Sequence, residues 1–248
     1  MIKFFRKIRQ KLLQENVVTR YIAYAIGEIF LVVIGILIAL SINTWNEDRK
    51  NAIESRFQLA KLRDDLMADK EKINSTIRRD DRLLVNLIFS LKVLANDTVS
   101  TREEFIDHFQ SINYTVDFVQ TRGAFEALMS SGRFQLISNK DILDTLTAYY
   151  NDNGYKPWDN LLIEYTRNVI LPYLLNFDHL PTGVDYNPVD ISKSLIPGKT
   201  LNDYKQDQFI INAVRLKIQL LDGQKYAYSR VQTQIDSLIN TIDKELTK

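Results

Sequence analysis

The stretch IAYAIGEIFLVVIGILIALSI, from Ile22 to Ile42, carries one charged side chain, Glu28, and decides the fold of this chain. A helix rises about 1.5 Å per residue, so about 20 apolar residues cross the hydrocarbon core of a bilayer. The stretch therefore predicts a transmembrane anchor over residues 21–45. Trp45 stands where an interfacial aromatic side chain would fix the end of such a helix.

The segment before the anchor is basic and predicts the orientation of the chain. Residues 1–20 carry six basic side chains against one acidic side chain: Lys3, Arg6, Lys7, Arg9, Lys11 and Arg20 against Glu15. Basic flanks stay in the cytoplasm. We therefore predict an inner (cytoplasmic) membrane protein with a cytoplasmic N-terminus and a periplasmic domain over residues 46–248. The sequence of residues 1–14 fits either an amphipathic helix on the anionic inner leaflet or a solvated tail.

The rival interpretation of residues 1–41 is a cleaved signal peptide. Ala39-Leu40-Ser41 would serve as a cleavage site with small residues at its ends. The apolar region of a signal peptide, however, is about 7–15 residues long, and the run here is longer. An uncleaved anchor is therefore the preferred prediction, with the lipid bilayer as its first partner.

The chain beyond the anchor has the composition of a folded domain. Hydrophobic residues make up 45% and charged residues 25% of the sequence, which is typical of globular proteins. Residues 43–248 carry 26 basic and 29 acidic side chains. They offer no basic face, so nucleic acid is excluded as a partner. The absence of cysteine excludes disulfides and thiol chemistry.

Proline is confined to the middle of the domain, so long helices are predicted on either side of it. The five prolines lie between positions 157 and 197, and proline breaks helix interiors. Apolar residues recur at spacings of three and four over 46–94 and over 211–246, where Asp222-Gly223 is a weak point. The predicted class is all-α: a transmembrane helix continuing into an elongated bundle, with two long antiparallel helices and shorter helices between them.

Hydroxyl side chains are predicted to begin three of the shorter helices. The predicted N-caps, with the approximate last residue number of each helix, are Ser100 (112), Thr121 (129) and Ser138 (150). A fourth helix is predicted over 157–177 with a kink at Pro172. Residues 178–200 contain proline and glycine and are predicted to be a connection.

One face of the predicted anchor combines a polar side chain with small residues. Glu28 would lie about two turns inside the membrane, where a charge costs about 2–4 kcal/mol. Gly35 and Ala39 share its face, and Ala23 and Gly27 form a second pair of small residues four apart. Such faces are typical of helix–helix contact in membranes. We therefore predict association through the membrane helix, either with a second copy of the chain or with another envelope protein.

Motifs for catalysis, cofactors or metals are weak in this sequence. Gly198-Lys199-Thr200 lacks the earlier glycine of a phosphate-binding loop, and Asn151-Asp152-Asn153-Gly154 fits a helix end better than a calcium loop. His108 and His179 have no neighbour at metal-ligand spacing. The carboxylate pairs are interpreted as solvated helix faces: Asp64-Asp65, Asp80-Asp81 and Glu103-Glu104. The prediction is no enzymatic activity, no cofactor and no metal.

Aromatic residues are concentrated within a short part of the domain. They are Tyr149, Tyr150, Tyr155, Trp158, Tyr165, Tyr173 and Phe177. The first four are candidates for a ligand pocket or a partner surface, because such side chains combine large apolar area with a polar group. The alternative, which we favour, is the core where two short helices cross.

Two stretches of sequence carry a family resemblance. They are MIKFFRKIRQ (1–10) with YAIGEIFLVVIGILIALSINTWNE (24–47), and SSGRFQLISNKDILDTLTAYY (130–150). Both resemble signatures of a family of uncharacterised single-pass inner-membrane proteins of Bacteroidetes bacteria. The resemblance implies a helical periplasmic part. It implies no functional residue, because the family has no assigned activity.

Two functions fit these observations. The first is a membrane-anchored helical interaction or scaffold protein of the cell envelope. The alternative is a periplasmic ligand-sensing bundle, which would need a separate membrane partner because about 20 cytoplasmic residues leave no room for an output domain. An enzyme is the least supported function, and a cluster of His179 with carboxylates in a cleft would revive it.

Overall fold

The computed structural model describes residues 18–152, 154–177 and 199–247, which are helical and include no strand. The α-helices are α1 (Val18–Leu94), α2 (Arg102–Phe109), α3 (Gly123–Ser130), α4 (Lys140–Asn151), α5 (Lys156–Tyr165), α6 (Leu171–Phe177), α7 (Leu201–Gln206) and α8 (Gln208–Leu246). A π-helical turn, Thr166–Ile170, joins α5 to α6. The predicted all-α class is confirmed. The chain divides into two compact units, Met1–Phe57 and Gln58–Lys248.

The first unit contains the apolar part of α1. Within the described ranges, one helix is long and apolar enough to cross a membrane, and none of its apolar window is buried. The large side chains of the predicted anchor are exposed from Ile26 to Trp45. Helix α1 also continues without a break past Ile42, as the sequence predicted.

In the second unit, α8 runs antiparallel to α1. Polar side chains pair across the two helices in a regular series. The pairs are Arg63 with Asp243, Lys70 with Asp236, Asn74 with Gln232, and Asp81 with Lys225. Along α1 the series advances by seven, four and seven residues, and along α8 it retreats by the same steps. The two predicted long antiparallel helices are therefore confirmed, and these pairs report their register.

Two apolar clusters form the core of this unit. The first gathers Leu59 to Ile73 of α1 with α3, α4 and the C-terminal half of α8, and includes Ile235 and Ile242. The second gathers Leu87 to Leu94 of α1 with α2, α5, α6, α7 and the N-terminal half of α8. The short helices thus pack against the long pair in two groups.

The caps of the short helices lie one residue away from their predicted positions or on another element. Thr101, not Ser100, accepts the N–H of Glu104 at the start of α2. Asn139, not Ser138, caps α4. In each case the neighbouring residue offers the same kind of acceptor, and sequence spacing alone does not separate the two.

Thr121 does not cap α3, and this prediction was wrong. Its backbone N–H and hydroxyl donate to Asp69 of α1. The first turn of α3 is capped from α1 instead, because the N–H of Ala124 donates to Asp65 at 2.8 Å. Tertiary acceptors therefore replace the local cap.

The predicted kink at Pro172 takes the form of a π-helical turn just before it. Proline has no N–H, and its ring would clash with the carbonyl of Asn168 in a regular helix. The N–H of Leu171 instead bonds to the carbonyl of Thr166, five residues back. This wider turn lets the helix continue on both sides of the proline.

A short helix, α7, begins directly after the predicted connection. Thr200 caps α7 in a reciprocal capping box with Asp203, so Thr200 of the Gly-Lys-Thr sequence is a helix cap. Residues 178–198, with His179 and most of the predicted connection, lie outside the described residues.

Gly223 lies in the middle of α8, which is continuous through the predicted weak point. The ring of Trp158, from α5, packs against the backbone at this glycine, and a Cβ there would overlap the ring. The glycine is therefore required by the close approach of an aromatic side chain.

Gly223→Ala should destabilise the domain by about 1–3 kcal/mol, since overlap with Trp158 outweighs the gain in helix propensity of about 1 kcal/mol. Urea unfolding of the detergent-solubilised chain, followed by circular dichroism, measures the change. Gly123→Ala is the matched control, because a Cβ at Gly123 meets nothing within 4 Å. Equal stability of the two variants would contradict this account of the glycine.

Candidate functional site

The aromatic residues singled out from the sequence lie in the interior of the second unit. Tyr149, Tyr150 and Tyr155 are each 1% exposed and belong to the first apolar cluster. Trp158 is half-buried against Gly223. In this structure, therefore, the three tyrosines present no surface to a ligand or partner.

The aromatic rings are held by contacts with one another and with a cation. Tyr150 stacks on Phe125 with ring centroids 4.2 Å apart, and the guanidinium of Arg122 lies 5.4 Å from its centroid. Burial raises the pKa of Tyr155 to about 12. These phenols stay protonated at neutral pH, and their arrangement is that of a packed core.

Asp69 organises the polar contacts of this first cluster. It is fully buried on α1 and accepts hydrogen bonds from the hydroxyl of Tyr149 at 2.8 Å and from the hydroxyl of Thr121 at 2.6 Å. The N–H of Thr121 donates to it as well. One carboxylate thereby ties α1 to α4 and to the segment that leads into α3.

A second group of polar residues is buried in the interior of the second unit. We call it the polar layer, and it consists of Asp80, Asp159, Thr166, Lys217, Gln224 and Tyr228. Asp80 lies between the apolar clusters along α1, and Gln224 lies between them along α8. Every member is at most 6% exposed.

One carboxylate of the polar layer is well supplied with donors. Asp159 accepts from the hydroxyl of Tyr228 at 2.6 Å, from the amide of Gln224 at 2.6 Å and from the N–H of Phe118 at 3.4 Å. Burial raises the pKa of Asp159, while the bonds from Tyr228 and Gln224 oppose that rise. These contacts stabilise its charged form inside the protein.

The other carboxylate of the polar layer lacks such support. Asp80 is 0% exposed, and neither of its oxygens has a hydrogen-bond partner among the described residues. Burial raises its pKa to about 7, the charge of Asp159 adds to the rise, and the lysines of α8 oppose it. The sequence interpretation of Asp80-Asp81 as a solvated face is wrong for Asp80, since only Asp81 is exposed.

Lys217 is the buried cation of the polar layer. It is 0% exposed, and its ammonium donates to the hydroxyl of Thr166 at 2.9 Å. Burial lowers its pKa to about 7, and the charge of Asp80 opposes that fall. In both Asp80 and Lys217, burial therefore favours the neutral form, and each charge favours the charged form of the other.

The residues predicted for membrane association lie on the apolar part of α1 in the first unit. Glu28, Gly35, Ala39, Gly27 and Ala23 are all helical there. A Cβ added at Gly27 or Gly35 would meet nothing within 4 Å. Larger side chains at these glycines therefore meet no obstacle within the chain itself.

A wide cleft lies between α1 and α3 in the second unit. It has a volume of about 540 Å³ and is lined by Gln58, Lys61, Asp64, Asp65, Gly123, Ala124, Ala127, Ser131 and Arg133. Its lining combines small residues of α3 with charges of both signs. Tyr149, Tyr150 and Tyr155 do not line this cleft.

Among the described residues, His108 is placed in a structural contact and not in a metal site. His108 shares a hydrogen bond with Asn86 at 2.9 Å and packs against Phe89. No group of three or more potential metal ligands occurs among the described residues. His108 therefore joins α2 to α1.

Asp69→Asn should lower the free energy of unfolding by about 1–3 kcal/mol, because the amide cannot accept all the donors that converge on the carboxylate. Urea unfolding of the detergent-solubilised chain measures the change. Glu71→Gln is the control, since Glu71 is exposed and forms an exposed ion pair with Arg78; its effect should stay below about 1 kcal/mol. Asp69→Asn with stability equal to Glu71→Gln would refute the assigned role.

Comparison with known proteins gives a family without an assigned activity. No curated protein and no solved structure matches the chain. The model of a family of unknown function, DUF6090, matches residues 28–164, which is more than half of the chain. The match begins at Glu28 in the exposed apolar part of α1. It includes Tyr149, Tyr150 and Tyr155 and ends in α5. The chain therefore belongs to the DUF6090 family of unknown function.

Proposed function

We propose that this protein is a membrane-anchored, non-enzymatic helical module of the cell envelope, which binds a partner through its transmembrane segment. The observation that carries the proposal is the exposure of the apolar segment of α1 together with the polar and small residues on it. A solitary helix of this kind is stable in lipid, and its polar group favours contact with another helix. The partner is a second copy of the chain or another envelope protein.

The proposed location is the inner membrane, with the second unit in the periplasm. The six basic side chains of residues 1–20 support a cytoplasmic N-terminus. The resemblance of residues 1–10 and 24–47 to single-pass proteins of Bacteroidetes supports the same arrangement. In that location, the paired α1 and α8 would form an antiparallel coiled coil outside the cytoplasm.

Glu28 and Gly35 form the centre of the proposed contact. They are seven residues apart and share one face of α1, with Ala39 one turn beyond Gly35. Small residues allow close backbone approach, and a carboxyl group in lipid finds its best partner on a neighbouring helix. The pair Ala23 and Gly27 offers a second face of the same kind.

The ligand-sensing alternative has a weaker basis. The tyrosines that suggested a ligand pocket are buried. The open cleft between α1 and α3 is one place among the described residues where a ligand could bind. Its mixed charges favour no single ligand class, so partner binding remains the proposed function.

Glu28→Leu and Gly35→Leu should each reduce crosslinked oligomer or partner complex by about fivefold or more, as expected for the loss of 1–2 kcal/mol of helix–helix contact. Crosslinking in intact cells, followed by blotting of the tagged chain, measures the yield. Both substitutions raise apolarity, so membrane insertion should be retained. Ile26→Leu, on another face of α1, is the matched control and should leave the yield unchanged.

The outcomes of this experiment separate the elements of the proposal. A wild-type chain that crosslinks to nothing would overturn partner binding. Normal yields from both Leu variants would overturn the proposed face. Recovery of the wild-type chain from the aqueous fraction would overturn the anchor itself.

Protease added to spheroplasts should digest the second unit and leave a small membrane-embedded fragment containing the N-terminus. The basic flank predicts this orientation. Detergent-lysed cells provide the control in which both sides are accessible. Protection of the second unit in spheroplasts, with digestion after lysis, would reverse the proposed topology.

A further inference from the structure

Asp80 and Lys217 are two ionisable residues that are buried in the second unit with few hydrogen-bond partners. Both are 0% exposed. Asp80 has no hydrogen-bond partner among the described residues, and Lys217 bonds to the neutral hydroxyl of Thr166. The two residues lie on different long helices, α1 and α8, and their charges interact electrostatically.

Burial without a bonded counter-charge favours the neutral form of each group. An isolated ion in the interior of a protein loses its hydration, and the protein usually responds by a change in protonation. No hydrogen bond joins Asp80 to Lys217. Each charge therefore favours the charged form of the other by Coulomb attraction alone. The state of one residue therefore influences the protonation of the other.

The other charged groups around Asp80 are few and come from three elements. Asp81 is its neighbour on α1, Asp159 faces it from α5, and Lys225 joins Lys217 from α8. Asp81 and Lys225 form an ion pair with each other. Asp159 is held by its own donors. The charge that acts on the pKa of Lys217 is that of Asp80.

Lys217 connects this pair to an irregular part of the backbone. Its hydrogen-bond acceptor, Thr166, is the first residue of the π-helical turn Thr166–Ile170. A charged ammonium bonds to a hydroxyl about twice as strongly as a neutral amine does. π-Helical turns are rare and are commonly found at functional sites. Loss of the proton from Lys217 would therefore weaken a contact that holds this turn against α8.

We propose that Asp80 and Lys217 form a proton-operated switch, in which the charge on Lys217 closes the π-helical turn Thr166–Ile170 and its loss allows the turn to open. The inference goes beyond the proposed function and holds on either side of a membrane. It requires only that the second unit is folded.

The sign of the pH dependence differs for the two residues. Burial raises the pKa of Asp80 to about 7 in the folded protein, above the ordinary value of a carboxyl group, so its contribution to stability falls as pH rises from about 4 to 7. Burial lowers the pKa of Lys217 to about 7, below the ordinary value of a lysine, so stability rises between about pH 7 and 10. Together they predict a stability minimum near neutral pH.

Urea unfolding of the full chain in detergent at pH 5 to 9 tests the first half of the proposal. The ratio of the unfolding constants of the wild type and Asp80→Asn should change by up to about tenfold per pH unit below pH 7, as one proton requires. Asp81→Asn is the control, because it removes the same charge from the adjacent exposed position. A ratio for Asp80→Asn that is as flat as that of the control would overturn the proposal.

Amide hydrogen exchange tests the link to the turn. The protection of residues 166–170, corrected for intrinsic exchange, should fall by about fivefold between pH 6 and pH 8 as the charge-assisted bond weakens. Thr166→Val, which removes the acceptor, should show low protection at both pH values. Protection that is independent of pH in the wild type would refute the link.

The midpoint pH at which the turn opens should shift in Asp80→Asn, whereas a purely structural role of Asp80 would leave this midpoint unchanged. The substitution removes the negative charge that sustains the proton on Lys217, so the opening of the turn should move to lower pH. Asp81→Asn should leave the midpoint within about half a pH unit, because Asp81 is exposed and screened. An unchanged midpoint in Asp80→Asn would show that the two residues are not coupled.

Discussion

The second unit depends on the antiparallel pairing of α1 with α8. A seam of apolar residues at spacings of three and four repeats every seven residues, so a slip by seven residues would again place apolar side chains together. The polar pairs remove this ambiguity. Asn74 meets Gln232 and Asp81 meets Lys225 only in the observed alignment, because a slip by seven would place Ile239 or Lys225 opposite Asn74. These contacts contribute little stability individually, since most are partly exposed. They specify the register on which every shorter helix depends.

The fold was largely predictable because its signals are long and periodic. The exposed apolar run, the proline-free stretches and the two repeats gave α1 and α8 and their relative direction. The local signals were less precise: residues with a side-chain oxygen acceptor occur in neighbouring pairs such as Ser100-Thr101 and Ser138-Asn139, and either member fits the spacing. Thr121 shows a further limit, because its hydroxyl is committed to Asp69 on another helix. Sequence spacing contains no information about such a distant partner.

The polar layer is hard to predict from sequence for a different reason. On the long helices, its buried polar residues occupy positions of the apolar repeat. On α1, Asp69, Thr76 and Asp80 continue the alternation of three and four begun by Leu59, Leu62 and Leu66. On α8, Lys217 and Gln224 lie at seven-residue intervals between Ile210 and Val231. This spacing, counted without regard to polarity, predicts the burial of Asp69, Asp80 and Lys217.

The contrast between Asp69 and Asp80 argues that the two buried acids of α1 serve different purposes. Asp69 receives donors from Thr121 and Tyr149, so its removal leaves several groups without a partner. Asp80 receives none among the described residues, so an apolar residue of similar size would pack at least as well. Stability alone therefore accounts for Asp69 and not for Asp80. A carboxylate at a position that favours an apolar side chain is explained by what its charge does to a neighbour, and Lys217 is the buried group whose protonation that charge controls.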